Sequence, residues 1–293
     1  MKIKVFCNLT KPLFSLFSLP FLLAQAEMAL FSQNSLNKSQ LCSLNMLETL
    51  LIALGAFFCA RSGGMIINAI IDASIDAKNP RTTQRAIPQK LISTKNAWAW
   101  VMGFFAIFLF LSSTLGTHCL ILSFLSLLLI VSYPYTKYFS IFCHFFLGCI
   151  YMIAMLTTSV IIKNSISLAD ALFGLSAFFV IAANDIVYAI QDIDFDKKER
   201  LYSIPARWGR ERSHTIARIL LVTSYVSFIL ISLSLPLPYI FLPFTAFPLC
   251  SILCTTIMLK KSSEQNLYKT FILANIVTPL SFFASVTLFL FNR

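Results

Sequence analysis

Nine separate apolar runs, most as long as the about 17–25 residues a helix needs to cross hydrocarbon, occupy most of this 293-residue chain. They lie at roughly 13–31, 49–71, 97–116, 118–134, 139–162, 168–190, 214–235, 237–259 and 270–291. A soluble domain carries about 25% charged residues; here the figure is 12%, against 58% hydrophobic. The expected fold class is an all-α polytopic membrane protein, nine transmembrane helices bundled around a central cavity. It forms a single domain over residues 1–293, with two weakly repeated halves at about 10–134 and 139–291. The 29 Phe suit lipid-facing and interhelical packing. The eight scattered Cys, including Cys250 and Cys254 inside an apolar run, read as small buried apolar residues and not as a metal or disulfide framework.

Basic residues give the orientation. With the N-terminus cytoplasmic, 19 of the 23 Lys and Arg fall on the cytoplasmic side and Lys38, Lys163 and Arg293 on the far side, while Arg61 lies within the second span. The net charge of +11 is therefore a topology signal, and its spread over short loops argues against nucleic acid as a partner. The partner is the lipid bilayer, expected to be the cell (inner) membrane. Lys2, Lys4 and "AQA" at 24–26 resemble a signal peptide, but the apolar run continues to Phe31, which favours a retained first span.

The second run ends in "NAIIDASIDAKNPRTTQRAIP", which places Asn68, Asp72 and Asp76 one helical turn apart on one face. The sixth ends in "NDIVYAIQDIDFDKKERLYSIPARWG", where Tyr188, Asp192 and Asp196 repeat that spacing 120 residues on. Four crossings separate the two, so both face the cytoplasm. Paired carboxylates beside basic loops are the chemistry of Mg²⁺ held through one or two carboxylates plus substrate phosphates, with Arg81, Arg85, Lys137 and Lys197 placed to take phosphate oxygens. A single acid at a span end is usually only solvated; two matched clusters on one side are harder to explain that way.

Other residues are read individually. Asp194 points off the Asp192–Asp196 stripe. Asp185, about two turns before Asp192, shares its face and lies deeper in the membrane. Arg61, seven residues before Asn68, sits on the same stripe and either neutralises Asp185 or Asp72 or meets a substrate anion. In "SYPYTK", Tyr133 and Lys137 form either an interfacial anchor or a phosphate clamp. His144 is read as a packing or hydrogen-bonding residue, and Asn275 and Pro279 as interhelical glue and a kink.

These segments, with "RSGGMIIN", "SIPARWG" and "TKPLFSLFSLPFLLA", resemble the UbiA-type membrane prenyltransferases, whose signature is N-x-x-x-D-x-x-x-D after one span and D-x-x-x-D after a later one. The resemblance runs from about residue 10 to the last span and is most similar to 4-hydroxybenzoate polyprenyltransferases. Ala69 and Tyr138 depart from residues frequent in that family. The resemblance implies Mg²⁺ as cofactor, held by Asn68, Asp72, Asp76, Asp192 and Asp196, the four Asp being catalytic. The implied partners are a polyprenyl diphosphate and a small aromatic acceptor, 4-hydroxybenzoate or a dihydroxynaphthoate of menaquinone synthesis. Arg61, Asn68, Arg81, Arg85, Tyr133, Lys137, Asp185, Tyr188 and Lys197 are the expected substrate-binding residues. A carrier of a phosphorylated metabolite is the alternative of another class; its site should lie near midplane on interrupted helices.

Overall fold

In the computed structural model, residues 2–12, 17–32, 44–234, 238–261 and 264–292 are described; Lys38, Pro236, Arg293 and the start of the expected first span lie outside them. The described residues contain helices and no strands. The helices are α1 (Lys2–Thr10), α2 (Leu19–Ser32), α3 (Leu44–Ile71), α4 (Ala73–Asp76), α5 (Thr94–Thr114), α6 (Thr117–Thr136) and α7 (Cys143–Lys163). They continue as α8 (Leu168–Ala189), α9 (Ile193–Lys198), α10 (Ile204–Leu230), α11 (Pro238–Phe241), α12 (Ala246–Lys261) and α13 (Glu264–Phe291).

Among the described residues, eight helices are long and apolar enough to cross a membrane, and α2 is a shorter apolar helix. The expectation of nine full spans thus meets eight plus one 14-residue helix. The seventh span also starts earlier than expected. Helix α10 begins at Ile204, where Ser203 caps it by accepting from the Ala206 N–H (3.1 Å), and its charged first turns run through a break at Gly209 (φ 77°) before the apolar part. Hydropathy cannot see that stretch because it is basic. Between α5 and α6, Gly116 adopts φ 117°, a left-handed conformation that suits glycine and turns the chain in two residues.

Helix α8 is the most enclosed span, packed against α7 and α10. Its Phe173 is fully buried with Phe21, Phe228 and Phe282, and the rings meet at tilted and edge-on angles, Phe228 and Phe282 with centroids 4.8 Å apart. At the end of α7 away from the Asp motifs, Lys163 pairs with Asp170 at 2.5 Å. Gln25 of α2 donates to Ser159 (2.6 Å) and Asp170 (2.8 Å), so α2, α7 and α8 are tied together there. At the other end, α7 and α8 approach almost backbone to backbone: a Cβ on Gly148 would stand 2.8 Å from the Phe178 carbonyl oxygen. Gly148→Ala is therefore expected to destabilise the bundle by about 1–3 kcal/mol, read as a lowered melting temperature in detergent; an unchanged melting temperature would show that the two helices can part at no cost.

Candidate active site

The bundle encloses a cavity of about 680 Å³. Its walls are apolar over most of their length, from Leu50, Leu54 and Leu115 at one end to Ile130, Leu147 and Ile181 nearer the other. Leu23 of α2 and Leu51 and Leu54 of α3 line it while also being exposed on the outside of the bundle, so the cavity opens sideways between those helices. Toward the Asp motifs the lining becomes polar, with Lys11, Arg61, Asn68, Arg85, Tyr133, Asn184, Asp185 and Tyr188.

The polar mouth is built from two chain segments that each leave a span without losing their helical path. After α3 the backbone keeps helical hydrogen bonds, from Asp72 N–H to Asn68 (2.9 Å) and from Asp76 N–H to Asp72 (2.7 Å), so Asn68, Asp72 and Asp76 stay on one stripe. After α8 a single 3₁₀ turn, Ile190–Asp192, re-aims the chain into α9. Each carboxylate of the first stripe has a cation. Lys137 Nζ lies 2.5 Å from Asp72 Oδ1, Asn68 donates to Asp72 Oδ2 (3.3 Å), and Arg85 pairs with Asp76 at 2.6 Å. The loop after α4 then bridges the two clusters. Arg81 grips both oxygens of Asp192 and donates to the Tyr188 hydroxyl (2.8 Å), and Asn79 donates to Asp192 Oδ1 (3.0 Å). Asp196 accepts from Ser203 (3.3 Å), and the charges of Asp192 and Lys137 both act on it. The two Asp motifs are thus one charged assembly at one end of the bundle.

Burial raises the Asp72 carboxyl above its ordinary value, against the pull of Lys137. Lys11 ends α1 in a left-handed conformation (φ 44°) and reaches the cavity. Burial, helped by the neighbouring Arg85, pushes its ammonium down to about 8. Deeper in, His144 Nδ1 donates to Asp185 Oδ2 (2.6 Å), and Arg61 donates to the Tyr151 hydroxyl (2.7 Å).

The sequence-expected residues are therefore brought together in large part. Asp72, Asp76, Asp192, Asp196, Asn68, Arg81, Arg85, Lys137 and Tyr188 meet at the mouth, and Arg61, Tyr133 and Asp185 line the cavity. Asp194 is exposed, as its place off the stripe required. Lys197 stands exposed in the last turn of α9 and, among the described residues, makes no ion pair with either Asp motif. Its position in α9 sends it outward beside Lys198. Asn79, Lys11, Tyr151 and the His144–Asp185 pairing were not legible as site features. The first two sit in non-periodic segments, and the others depend on contacts between distant spans.

A divalent cation fits this donor set chemically. The oxygens are hard, and the buried Asp72 Oδ1 is held by the Lys137 ammonium at 2.5 Å. Among the described residues no three His, Cys, Asp or Glu stand close enough to share one metal ion. An ion there would complete its shell with substrate oxygens, as Mg²⁺ commonly does.

Eight helices long and apolar enough to cross a membrane, around an apolar cavity that turns polar toward the Asp motifs, define the class: an integral membrane protein. The model of the UbiA prenyltransferase family matches residues 19–285, and the chain belongs to that family. It is 32% identical over 166 residues to the 4-hydroxybenzoate octaprenyltransferase of Aliivibrio fischeri (strain MJ11), covering 55% of this chain and 56% of that one. It is 27% identical over 172 residues to the enzyme of the same name from Francisella tularensis subsp. novicida (strain U112), covering 58% and 59%. The chain thus matches little more than half the length of these curated relatives. The apo structure of a UbiA homolog from Aeropyrum pernix K1 superposes with TM-score 0.77 at 25% identity, over 93% of this chain and 96% of that one. A UbiA homolog from Archaeoglobus fulgidus bound to GPP and Mg²⁺ shares the fold, with TM-score 0.71 at 18% identity over 97% and 99%.

Lys11 yields a test of the mouth's electrostatics. Its charge is disfavoured in the folded state, so it lowers stability below pH 8. That cost fades as the pH rises through 8 toward its unfolded value. Lys11→Met is expected to melt several degrees higher than the unsubstituted protein at pH 7, with the gap narrowing by pH 10. A gap that is constant with pH would mean that Lys11 acts through packing alone.

Proposed function

We propose that the protein transfers a polyprenyl group from a polyprenyl diphosphate to a ring carbon of an aromatic carboxylate of the 4-hydroxybenzoate type, in quinone biosynthesis, with Mg²⁺ as cofactor. The observation that carries this reading is the joining of the two Asp motifs by Arg81 and Asn79 at the mouth of an apolar cavity. The GPP and Mg²⁺ bound by the A. fulgidus homolog and the names of the curated relatives support it. The protein is placed in the cell (inner) membrane, and the 19-to-3 distribution of basic residues supports an orientation with the N-terminus and both motifs on the cytoplasmic side.

In this reading Asp72, Asp76, Asp192 and Asp196, with Asn68, would hold Mg²⁺, and the metal would supply charge neutralisation for a departing diphosphate. The basic residues then change partners. Arg81, Arg85 and Lys137, which the carboxylates hold in place, turn to the phosphate oxygens, whose charge grows as the allylic C–O bond breaks. Tyr133 and Tyr188 face the same space. The prenyl tail lies along the apolar wall and leaves between α2 and α3 into the bilayer. The wall also keeps water from the allylic cation until the aromatic ring attacks it, after which the ring carbon's proton passes to the departed diphosphate. Arg61 pairs with the acceptor carboxylate, bidentately where geometry permits, and Asp185 takes the hydrogen bond of the acceptor hydroxyl.

The test uses membranes carrying the protein, a labelled polyprenyl diphosphate and Mg²⁺, with 4-hydroxybenzoate and a dihydroxynaphthoate offered side by side. Label is expected on 4-hydroxybenzoate. Asp72→Ala or Asp192→Ala should abolish transfer in folded protein, and Asp194→Ala should retain most of it. Label on the naphthoate instead would reassign the acceptor to menaquinone synthesis, and full activity in Asp72→Ala would overturn the assignment of the site.

A further inference from the structure

His144, Gly148 and Tyr151 lie on one stripe of α7, at positions i, i+4 and i+7. The two polar residues of that stripe each hold one charged side chain of the cavity: Tyr151 accepts from Arg61 of α3 (2.7 Å), and His144 donates to Asp185 of α8 (2.6 Å). Gly148, between them, lets α8 come close enough for the second contact, since any Cβ there would press on Phe178. We propose that this stripe is a positioning device for the aromatic acceptor, with Tyr151 setting the guanidinium that takes the carboxylate and His144 setting the carboxylate that takes the ring hydroxyl. The proposal rests on the acceptor reading given above and adds to it the residues that fix the two recognition groups.

Three features carry it. First, the ring of His144 is clamped on both sides. Its Nδ1 is on Asp185, its Nε2 lies 3.4 Å from the Ile204 backbone N–H, and only 2% of the residue is exposed. It does not line the cavity, while Asp185 does, so it acts on the acceptor through Asp185. Second, the Tyr151 hydroxyl is itself 3.3 Å from Ser18 Oγ, which ties the partner of Arg61 to the segment leading into α2. Arginine has much rotamer freedom to lose, about 2 kcal/mol, so a fixed partner makes its pairing with a ligand stronger. Third, the two anchors are seven residues apart, about 10 Å along the axis. The guanidinium and the carboxylate are therefore held at different depths, which suits a ring carrying its carboxylate and its hydroxyl at opposite ends.

Steady-state kinetics of the Mg²⁺-supplied full-length protein in lipid nanodiscs, with 4-hydroxybenzoate and a polyprenyl diphosphate varied in turn, tests the proposal. Tyr151→Phe is expected to raise KM for 4-hydroxybenzoate roughly tenfold, the size of one hydrogen bond to a charged group, and to leave KM for the diphosphate unchanged. His144→Ala should lower kcat, again without a change in the diphosphate KM. His144→Gln, whose amide N–H can still donate to Asp185, should recover most of the loss. If His144→Ala does not fold, Tyr151→Phe and His144→Gln decide the matter. Either variant moving chiefly the diphosphate KM, or His144→Gln remaining as impaired as His144→Ala, would overturn the proposal while leaving the acceptor reading intact. Absence of product from the unsubstituted protein would overturn both.

Discussion

Every feature of this protein's mouth follows from the cost of holding carboxylates at the edge of a membrane. Asp72 and Asp76 are 6% and 5% exposed, and a buried carboxylate is tolerated only when paired and hydrogen-bonded. Lys137, just after α6, pairs with Asp72, Arg85 in the loop after α4 pairs with Asp76, and Arg81 of the same loop pairs with Asp192. Because Arg81 and Asn79 follow the first Asp motif yet bind the second, the pairing also locks the ends of α3 and α8 together. The charges that the proposed chemistry needs are thus the same charges that hold the mouth closed on itself. A doubly charged anion arriving with a divalent cation would satisfy all of them at once, with each carboxylate passing from ammonium or guanidinium to metal and each cation passing to phosphate.

Below the mouth the requirement reverses. The spans must leave space without leaving polar groups unpaired, and the cavity lining meets this with leucine, isoleucine, alanine and a few short hydroxyl side chains. Several of those hydroxyls bond back to their own helix, Ser123 to the Leu120 carbonyl (2.7 Å) and Thr157 to that of Ile153 (2.8 Å), and so present little polarity to a hydrocarbon tail. The aromatic cluster around Phe173 and the Lys163–Asp170–Gln25 cluster brace the far half of the bundle, where no charge needs to move.

Much of this could be read from the sequence because a bilayer allows few solutions. Apolar runs must be helices, basic loops mark one side, and acids one turn apart must share a face. That logic put Asn68, Asp72 and Asp76 on one stripe and Asp192 and Asp196 at the same end of the bundle, where the structure has them, and predicted that Asp194 would point away, as its exposure agrees. It could not locate groups whose roles come from neighbours in space. His144 offered no local signal of its partner 41 residues away, and Asn79 lies in a loop with no period. The Lys163–Asp170 pair had only the Ser167 capping box as a local trace. Nor do charge and proximity in sequence fix the direction of a side chain in a six-residue helix, where Lys197 stands exposed. Helix α10 was cut short for the related reason that its first turns are basic and amphipathic rather than apolar.

The central claim is that two Asp motifs, 120 residues apart in the chain, make one site for a metal and a diphosphate. Electron paramagnetic resonance of Mn²⁺, titrated into the purified protein with a non-hydrolysable prenyl thiodiphosphate, tests this directly and needs no turnover. The account predicts bound Mn²⁺ that depends on the thiodiphosphate and is lost in Asp72→Ala and in Asp192→Ala alike. Mn²⁺ that stays bound when either motif alone is removed, or that binds without regard to the thiodiphosphate, would contradict it.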